Sequence, residues 1–363
     1  MARKIFIAAT GQNCGKSTTS LSLIHLARQR YSRVGFIKPI GPKPVNHRGT
    51  WMDKDAALIA GVFGLEEDLP LMSPVVLQPD STRQILDGKL TQASIAERIR
   101  EAAAALEARC DFLVIEGSGH GGVGSVVGLS NARVARMLEA PVMIVSQGGV
   151  GNAIDAVSLN LALYRQEGVA VRMVLANKLL PAKRERCLHY LNLAFADAEF
   201  VVAGGFNYSP ILANPTLARI AKILESPLLG DAQAGSRIAH HVHLGAASSQ
   251  RVVDLLDASS LLLVNSTRDE LLVTLSSLYH LAEYRQRIAG LVVPGYTPIS
   301  PITQKILDDS HIPYIRTQLT NAEAFSIIKD DVSKLTVDDQ EKIDLIRSLA
   351  ESELDFDAID ALL

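Results

Sequence analysis

Ala9-Thr10-Gly11-Gln12-Asn13-Cys14-Gly15-Lys16-Ser17-Thr18 is the stretch that decides the fold. It follows a short apolar segment, Lys4-Ile5-Phe6-Ile7-Ala8, and precedes Leu21, Ile24 and further apolar residues at helical spacing. An apolar strand, a tight glycine turn and a helix in this order are the setting of a phosphate-binding loop. Such a turn directs several backbone N–H groups into one concavity at a helix N-terminus, where the helix dipole also favours an anion.

The side chains of this turn suit a nucleotide and a magnesium ion. Lys16 would reach the terminal phosphates, and the Ser17 hydroxyl would bind Mg²⁺. Thr10 departs from the common form of the loop, which has its first glycine at that position, and the glycine here is Gly11. The structural alternative is an ordinary strand-to-helix turn with a surface lysine. The residues of this turn predicted to contact the nucleotide are Gly11, Gln12, Asn13, Cys14, Gly15, Lys16, Ser17 and Thr18.

The composition indicates a soluble α/β protein with more than one domain. Of the 363 residues, 48% are hydrophobic and only 5% aromatic, as in buried parallel strands and their covering helices. A formal charge of −3 offers no broad basic surface for nucleic acid. We find no signal peptide and no apolar run near the ~20 residues of a membrane span, so we expect a cytoplasmic protein without a membrane partner. The three cysteines lack the spacing of disulfides or zinc sites.

Charged residues at the ends of apolar segments mark the predicted ligand crevice. Lys38 ends the second apolar strand, Asp55 opens a short helix, and Glu116 follows the strand 112–115 and precedes glycines. The carboxyl ends of parallel strands meet at one edge of an open sheet, where ligands bind. Ser17 and Glu116 are therefore candidate Mg²⁺ ligands, whereas position alone gives only weak support for a magnesium role of Asp55. Structural alternatives stay open: a solvated strand end for Lys38, a helix-dipole contact for Asp55 and backbone hydrogen bonds for Glu116.

A later apolar segment, 169–176, delivers Asn177 to the same edge of the sheet. An amide side chain both donates and accepts hydrogen bonds, so the side chain of Asn177 is chemically suited to the edge of adenine. Strand-like and helix-like segments alternate from residue 4 to about residue 224. This alternation predicts a doubly wound, mostly parallel sheet of the P-loop NTPase type.

A change in composition at 230–235 predicts a linker between a first domain at 1–228 and a smaller α/β domain at 236–363. Within the first domain, the proline-containing stretch 69–92 is expected to be an irregular loop. The amphipathic end, 337–363, is predicted to form a helix packed on its own domain. The elements predicted in the second domain are strands at 260–265, 288–294 and 312–316 and helices at 270–281 and 302–309.

Together, these motifs resemble the dethiobiotin synthetase family of P-loop proteins over about residues 3–225. The matching motifs are Gly15-Lys16-Ser17, Lys38-Pro39, Asp55, Glu116-Gly117-Ser118-Gly119 and Ala176-Asn177. The resemblance implies that these residues bind the phosphates of ATP and Mg²⁺ and that Asn177 reads adenine. It also implies catalytic roles for Lys16 and Lys38.

The second domain resembles a DRTGG domain, although Ser266-Thr267-Arg268-Asp269 stands in place of the motif that names that domain. The two domains in this order are similar to the N-terminal region of long bacterial phosphate acetyltransferases and to free-standing ATPase-like proteins. This resemblance implies a nucleotide-dependent regulatory or sensor protein that binds ATP and Mg²⁺. It further implies a homo-oligomer, a dimer or larger, with a partner protein docked through the second domain.

Two enzyme functions stay open. An ATP-dependent ligase of the dethiobiotin synthetase type would use Lys16 and Lys38 to steady a carbamate and the phosphoryl group passing to it. Gln12, Asn13 and the proline turn after Lys38 depart from those ligases. A weaker alternative is a corrinoid amide synthase, which needs a glutaminase cysteine with a histidine partner, and Cys187 lacks that context.

Overall fold

A computed structural model describes residues 2–47, 49–331 and 335–363. It divides into two compact units, one formed by Met1–Tyr208 with Ile343–Leu363 and the other by Ser209–Lys342. Each unit contains its own main sheet. Within the described part of the chain, no helix combines the length and the apolar character that crossing a membrane requires.

The first unit is built on a central parallel sheet. Its strands are β1 (Arg3–Ala9), β2 (Val34–Ile37), β3 (Ile40–Gly41), β4 (Pro44–His47), β5 (Thr50–Asp53), β6 (Val75–Val76), β7 (Phe112–Glu116), β8 (Val142–Gln147), β9 (Val171–Asn177) and β10 (Val201–Gly204). Six of them form one sheet in the order β10-β9-β8-β1-β7-β2, and all their neighbouring pairs are parallel. The predicted mostly parallel α/β fold is confirmed, and β1 lies in the middle of the sheet.

Helices cover this sheet because their apolar stripes match its buried surface. They are α1 (Lys16–Arg30), α2 (Lys54–Phe63), α3 (Leu69–Met72), α4 (Ser81–Leu86), α5 (Gln92–Glu107), α6 (Asn131–Met137), α7 (Gly151–Gln166) and α8 (Arg184–Ala194). Ile95 and Ile99 of α5 and Val157 of α7 belong to one buried cluster with Leu113 of β7. The sheet is thereby held between helices, with its carboxyl edge left for the loops.

The stretch 69–92 is more ordered than the sequence indicated, since it contains α3, β6 and α4. Pro70 lies in the first turn of α3, where a missing N–H loses no helical hydrogen bond. Val75 and Val76 pair in parallel with Ile40 and Gly41. The expectation of an irregular loop was therefore wrong, because Pro70, which lies at a helix start, was interpreted as a loop signal.

A short hairpin, β4 with β5, separates the second strand of the sheet from α2 and was not expected. Asp53 ends this hairpin and caps α2, since its side chain accepts a hydrogen bond from Asp55 N at 2.9 Å. The cap fixes the start of the helix and therefore the position of Asp55.

The second unit has a five-stranded sheet. Its strands are β11 (Leu228–Leu229), β12 (His241–Leu244), β13 (Ser260–Leu263), β14 (Ile288–Val293) and β15 (Tyr314–Arg316), and its helices are α9 (Pro210–Ala213), α10 (Leu217–Ile223), α11 (Ser249–Asp254), α12 (Asp269–Tyr279), α13 (Ala282–Arg287), α14 (Pro301–Asp309) and α15 (Asn321–Asp330). The strand order is β11-β15-β14-β13-β12, and only β11 runs antiparallel to its neighbour. The three predicted strands are present, and β12 adds an edge strand that periodicity did not reveal.

Neither predicted boundary of the second domain matches the compact units. The proposed linker at 230–235 directly follows β11, whose Leu228 pairs with Ile315, so this stretch belongs to the second unit. The last two helices are α16 (Gln340–Glu353) and α17 (Phe356–Asp360). The end of the chain belongs to the first unit, where Asp360 accepts a hydrogen bond from the Tyr31 hydroxyl at 2.8 Å. Such long-range contacts cannot be read from amphipathic spacing, which shows only that a helix has a face to bury.

Candidate functional site

The glycine turn has the backbone geometry that the sequence predicted. Gly15 has a φ of 101°, which an L side chain rarely adopts, and α1 begins at the next residue. A Cβ atom on Gly15 would lie 2.2 Å from Asn177 Nδ2, so no larger residue fits. Because glycine has no side chain with which to cap the helix, the first N–H groups of α1 remain available to an anion.

Lys16 is folded back over two glycine-containing loops. Its ammonium donates to the carbonyl oxygen of Gly119 at 2.8 Å and lies 3.4 Å from that of Gly11. Burial lowers the pKa of Lys16 to about 8, although the charge of Glu116 opposes that shift. A weakly solvated cation bound only to neutral carbonyls gains more from an anion, so phosphate would compete well for this ammonium.

Ser17 and Glu116 are in direct contact. The Ser17 hydroxyl donates to Glu116 Oε1 at 3.1 Å, and the Ser20 hydroxyl donates to Oε2 at 2.6 Å. The Glu116 side chain is fully buried at the end of β7. The sequence analysis missed Ser20, although its spacing of three from Ser17 places both hydroxyls on one face of α1.

Lys38 occupies the centre of the charged residues. Its Nζ lies 2.7 Å from Glu116 Oε1, 2.9 Å from Asp55 Oδ2 and 3.2 Å from the carbonyl oxygen of Gly117, and only 2% of its side chain is exposed. Burial alone would lower the pKa of Lys38, but the charges of Glu116 and Asp55 outweigh burial and raise it. The solvated strand end that was left open for Lys38 is therefore wrong.

Asp55 has a second cation beside it. Lys43 Nζ lies 3.0 Å from Asp55 Oδ2, and more than a third of the Lys43 side chain is exposed. Burial would raise the pKa of Asp55, but Lys38 and Lys43 overcome that effect and lower it. Asp53 also supports this corner, because its Oδ2 accepts a hydrogen bond from the Lys43 backbone N–H at 3.1 Å. No spacing in the sequence pointed to Lys43 or Asp53.

The three predicted magnesium ligands are joined through these contacts. Ser17 touches Glu116, and Lys38 links Glu116 to Asp55. Hydroxyl and carboxylate oxygens are the donors that Mg²⁺ prefers, and Mg²⁺ keeps several waters while binding one or two carboxylates and phosphate. The donor set therefore fits Mg²⁺, provided that the ion shares the carboxylates with the ammonium of Lys38.

The glycine loop after Glu116 is held by two buried asparagines. Asn131 accepts a hydrogen bond from Ser118 N at 3.0 Å and donates to Ser118 O at 2.6 Å, and Asn160 accepts from Gly121 N at 2.7 Å. These contacts fix the loop whose Gly119 carbonyl binds Lys16. Both asparagines escaped the sequence analysis, although Asn160 interrupts the apolar face of α7 and could have been noticed there.

Asn177 is buried and binds two backbone segments. Its Nδ2 donates to the carbonyl oxygen of Cys14 at 2.9 Å, and its Oδ1 accepts from Phe206 N at 2.9 Å. It therefore supports the glycine turn from the end of β9. Each end of the amide retains one further hydrogen-bonding position, so the contact with adenine stays a prediction.

The remaining residues of the turn lie in the same loop and differ in exposure. Gln12 and Asn13 are exposed, and the carbonyl oxygen of Asn13 lies 3.5 Å from Gln147 Nε2. Cys14 is buried, with its sulfur 3.6 Å from Thr10 Oγ1. Thr18 is half-buried at the start of α1, where its carbonyl oxygen accepts a hydrogen bond from Ser22. The direct nucleotide contacts of these residues remain predictions.

The comparison with protein families identifies this chain as a member of the AAA domain family AAA_26, whose match covers residues 3–233. A phosphate acetyltransferase of Synechocystis sp. is 20% identical over 313 residues, which make up 85% of this chain and 44% of that protein. An ATP-dependent dethiobiotin synthetase of Methanocaldococcus jannaschii is 27% identical over 177 residues, or 48% of this chain and 78% of that enzyme. The homology to both groups that the motifs indicated is thus confirmed.

The chain spans less than half the length of the acetyltransferase that it matches. Among solved structures, the septum site-determining protein MinD of Pyrococcus horikoshii, complexed with Mg-ADP, gives a TM-score of 0.34 at 15% identity. That alignment covers 58% of this chain and 84% of MinD. A similarity of this size carries no argument about function.

Proposed function

We propose that this AAA_26 family member binds ATP with Mg²⁺ at the glycine turn and acts as a nucleotide-dependent regulatory or sensor protein. The observation that carries the proposal is the continuous set of contacts Ser17–Glu116–Lys38–Asp55, beside the N-terminus of α1. A simple structural turn does not require two buried carboxylates and a buried lysine next to free helix N–H groups.

Different residues of this chain would bind the phosphates and the magnesium ion. The N–H groups of the turn and the ammonium of Lys16 would hold the phosphates, with Lys16 leaving its carbonyl partner on Gly119. Ser17, Asp55 and Glu116 would hold Mg²⁺, which when bound neutralises phosphate charge. Lys38 would keep both carboxylates correctly placed, because its ammonium already contacts each of them.

The regulatory part of the proposal rests on the second unit. The alignment with the acetyltransferase covers 85% of this chain, whereas the alignment with the M. jannaschii dethiobiotin synthetase covers 48%. We infer that the second unit is DRTGG-like and that it, or a homo-oligomer interface, transmits the nucleotide state to a partner protein. Its strand-end residues support this view, since Arg268 is engaged by the carbonyl oxygen of Gly245 at 2.9 Å and by the nearby carboxylate of Glu270.

A ligand acts as a signal only when it binds two conformations with different affinity. The test is hydrogen exchange across 209–331 and 335–342, together with light scattering, with and without Mg-ATP. We expect altered protection in the second unit or a change in oligomer size, and we expect neither in Lys16→Ala. A second unit that is indifferent to nucleotide, in a protein that stays monomeric, would contradict the regulatory function.

A dethiobiotin synthetase-type ligase is the alternative that one observation favours. Lys16 and Lys38 bind neighbouring carbonyls of one loop, those of Gly119 and Gly117, so both ammonium groups could face one transferred phosphoryl group. Rapid turnover of 7,8-diaminopelargonate with ATP and carbon dioxide would support this activity. Binding of Mg-ATP without such turnover would favour the regulatory function.

A further inference from the structure

Three side chains of the second unit converge outside the nucleotide site. His241, His243 and Asp257 each offer one ligand atom, and these atoms all lie within 4.8 Å of one another. No part of the proposed nucleotide function uses them. We refer to these three residues as the histidine cluster.

The edge strand β12 positions the two histidines. His241 and His243 are two residues apart, so both side chains project from the same face of the strand. Their rings lie nearly parallel, with centroids 6.1 Å apart and an interplanar angle of 20°. His241 is exposed and His243 is half-buried, so a ligand can reach this face of the strand.

The third member of the histidine cluster is held in place by the neighbouring strand. Ser260 pairs with His241 in the sheet and is fully buried. Its hydroxyl donates to the carbonyl oxygen of Asp257 at 2.9 Å and lies 3.1 Å from the Asp257 backbone nitrogen. The backbone of Asp257 is therefore fixed beside the two histidines.

One nitrogen of the histidine cluster is left without a hydrogen bond. His243 Nε2 is shielded from solvent and has no hydrogen-bond partner among the described residues. Its distance from Asp257 Oδ2 is 3.8 Å, which is too long for a hydrogen bond. A buried polar atom of this kind is costly unless water or an ion completes it.

We propose that the histidine cluster binds a divalent transition-metal ion of the zinc type. Imidazole suits zinc and related ions better than Mg²⁺, and two imidazoles with one carboxylate form a recurring three-residue ligand set. Ligand atoms around a tetrahedral zinc ion lie about 3.4 Å apart for bond lengths near 2.1 Å. The ligand atoms of the histidine cluster all lie within 4.8 Å of one another, so an ion would draw them closer together, and its fourth position would take water or a partner's ligand.

A matched control lies on the same strand end. His240 immediately precedes β12 and lies outside the histidine cluster, with its Nε2 3.4 Å from Glu341 Oε1. His240→Ala therefore removes an imidazole from the same segment without removing a proposed ligand. The double variant His241→Ala/His243→Ala removes both nitrogen ligands.

The test is titration of the full-length, tag-free chain with Zn²⁺ alone, in excess Mg²⁺ to occupy oxygen-rich sites. We expect wild type and His240→Ala to bind one more equivalent of zinc than the double variant. Asp257→Asn should retain the equivalent with weaker affinity, because a neutral amide oxygen replaces the carboxylate ligand. Cobalt substitution should give visible absorption bands in wild type and His240→Ala, and the double variant should lack them.

Equal zinc stoichiometry and affinity in wild type and the double variant would overturn the proposal and mean adventitious ions only. If the double variant does not fold, the single variant His243→Gln serves as the test. Loss of the tightly bound zinc equivalent in His243→Gln would support the site, and retention of that equivalent would overturn the proposal. Nucleotide affinity is not part of this test, so its outcome is independent of the proposed function.

Discussion

Polar residues at the carboxyl ends of buried strands have different surroundings in the two units. In the first unit, Lys38 Nζ lies 2.7 Å from Glu116 Oε1, and 2% or less of either side chain is exposed. In the second unit, Asn265 accepts a hydrogen bond from the nearby Thr267 N at 3.1 Å, and Arg268 binds carbonyls of a neighbouring loop. Position at a strand end therefore does not identify a site. Charges that are buried together beside a helix N-terminus are a stronger indication of a binding site.

We expect the largest effect from a substitution that breaks the charge network of the first unit. Lys38→Met leaves Glu116 and Asp55 buried without their shared cation, so we expect a loss of about 3–5 kcal/mol in the free energy of unfolding. Arg268→Ala, its counterpart in the second unit, should cost about 1 kcal/mol, because it loses contacts to two backbone carbonyls and an ion pair with the exposed Glu270, which is weak in water. Hydrogen exchange of β7 and β13 under increasing urea reports each unit separately. Equal costs for the two variants would remove the contrast between the units.

A second prediction uses the pKa of Lys16. Burial lowers this pKa from 10.5 to about 8, and the unfolded chain keeps the ordinary value. Between these two pH values the unfolded chain binds more protons, so raising the pH stabilises the folded state. Relative to Lys16→Met, the wild-type free energy of unfolding should rise by about 3 kcal/mol from pH 8 to pH 10.5. A difference between the two proteins that is independent of pH would contradict the burial of this ammonium.

Substitutions at two glycines distinguish the effect of a steric clash from the effect of backbone strain. Gly15 has a φ of 101° and Gly149 a φ of 116°, but a Cβ atom meets Asn177 at 2.2 Å only at Gly15 and nothing within 4 Å at Gly149. We expect Gly149→Ala to cost about 1–2 kcal/mol from strain, and Gly15→Ala to cost more and to abolish nucleotide binding. Urea unfolding and nucleotide titration measure these effects. Comparable behaviour of the two variants would mean that the close approach of Asn177 is unimportant.

Asn177 gives a prediction about the base. If its amide contacts adenine, wild type should bind ATP about tenfold or more tightly than GTP, since the wrong base leaves a buried polar group unpaired. Asn177→Leu should flatten this preference and also weaken both nucleotides, because Cys14 O loses its donor. Equal affinities of wild type for ATP and GTP would refute the adenine contact and leave only the structural role.

Local patterns in the sequence predicted much of the first unit. The turn at Gly15 and the strand that ends at Glu116 were predicted correctly because their residues are contiguous and apolar runs mark parallel strands. The meeting of Lys38 and Glu116 followed from topology, since parallel strands end at one edge of the sheet. Asp55 reaches them from the first turn of α2, and topology did not predict that contact.

Tertiary contacts explain what the sequence analysis missed. Asn131 and Lys43 reach the site from elements whose own periodicity carries no functional signal. The end of the chain was assigned to the second domain because an amphipathic stripe does not show which surface it packs against. In the structure, Asp360 accepts hydrogen bonds from Tyr31 and Arg3 of the first unit. Polar residues on apolar faces, as at Asn160, are the signal that would have helped most.

The most direct test of nucleotide binding at the glycine turn is calorimetric titration of Mg-ATP into wild type, Lys16→Ala and Lys89→Ala. Lys89 is exposed and lies outside the site, so its variant controls for the loss of one positive charge. Lys16→Ala should bind Mg-ATP about ten- to a hundredfold more weakly, the loss expected for one charge-assisted contact of about 1.5–3 kcal/mol, while Lys89→Ala should match wild type. Equal affinity of all three proteins, or no binding by wild type, would contradict a nucleotide site at this turn.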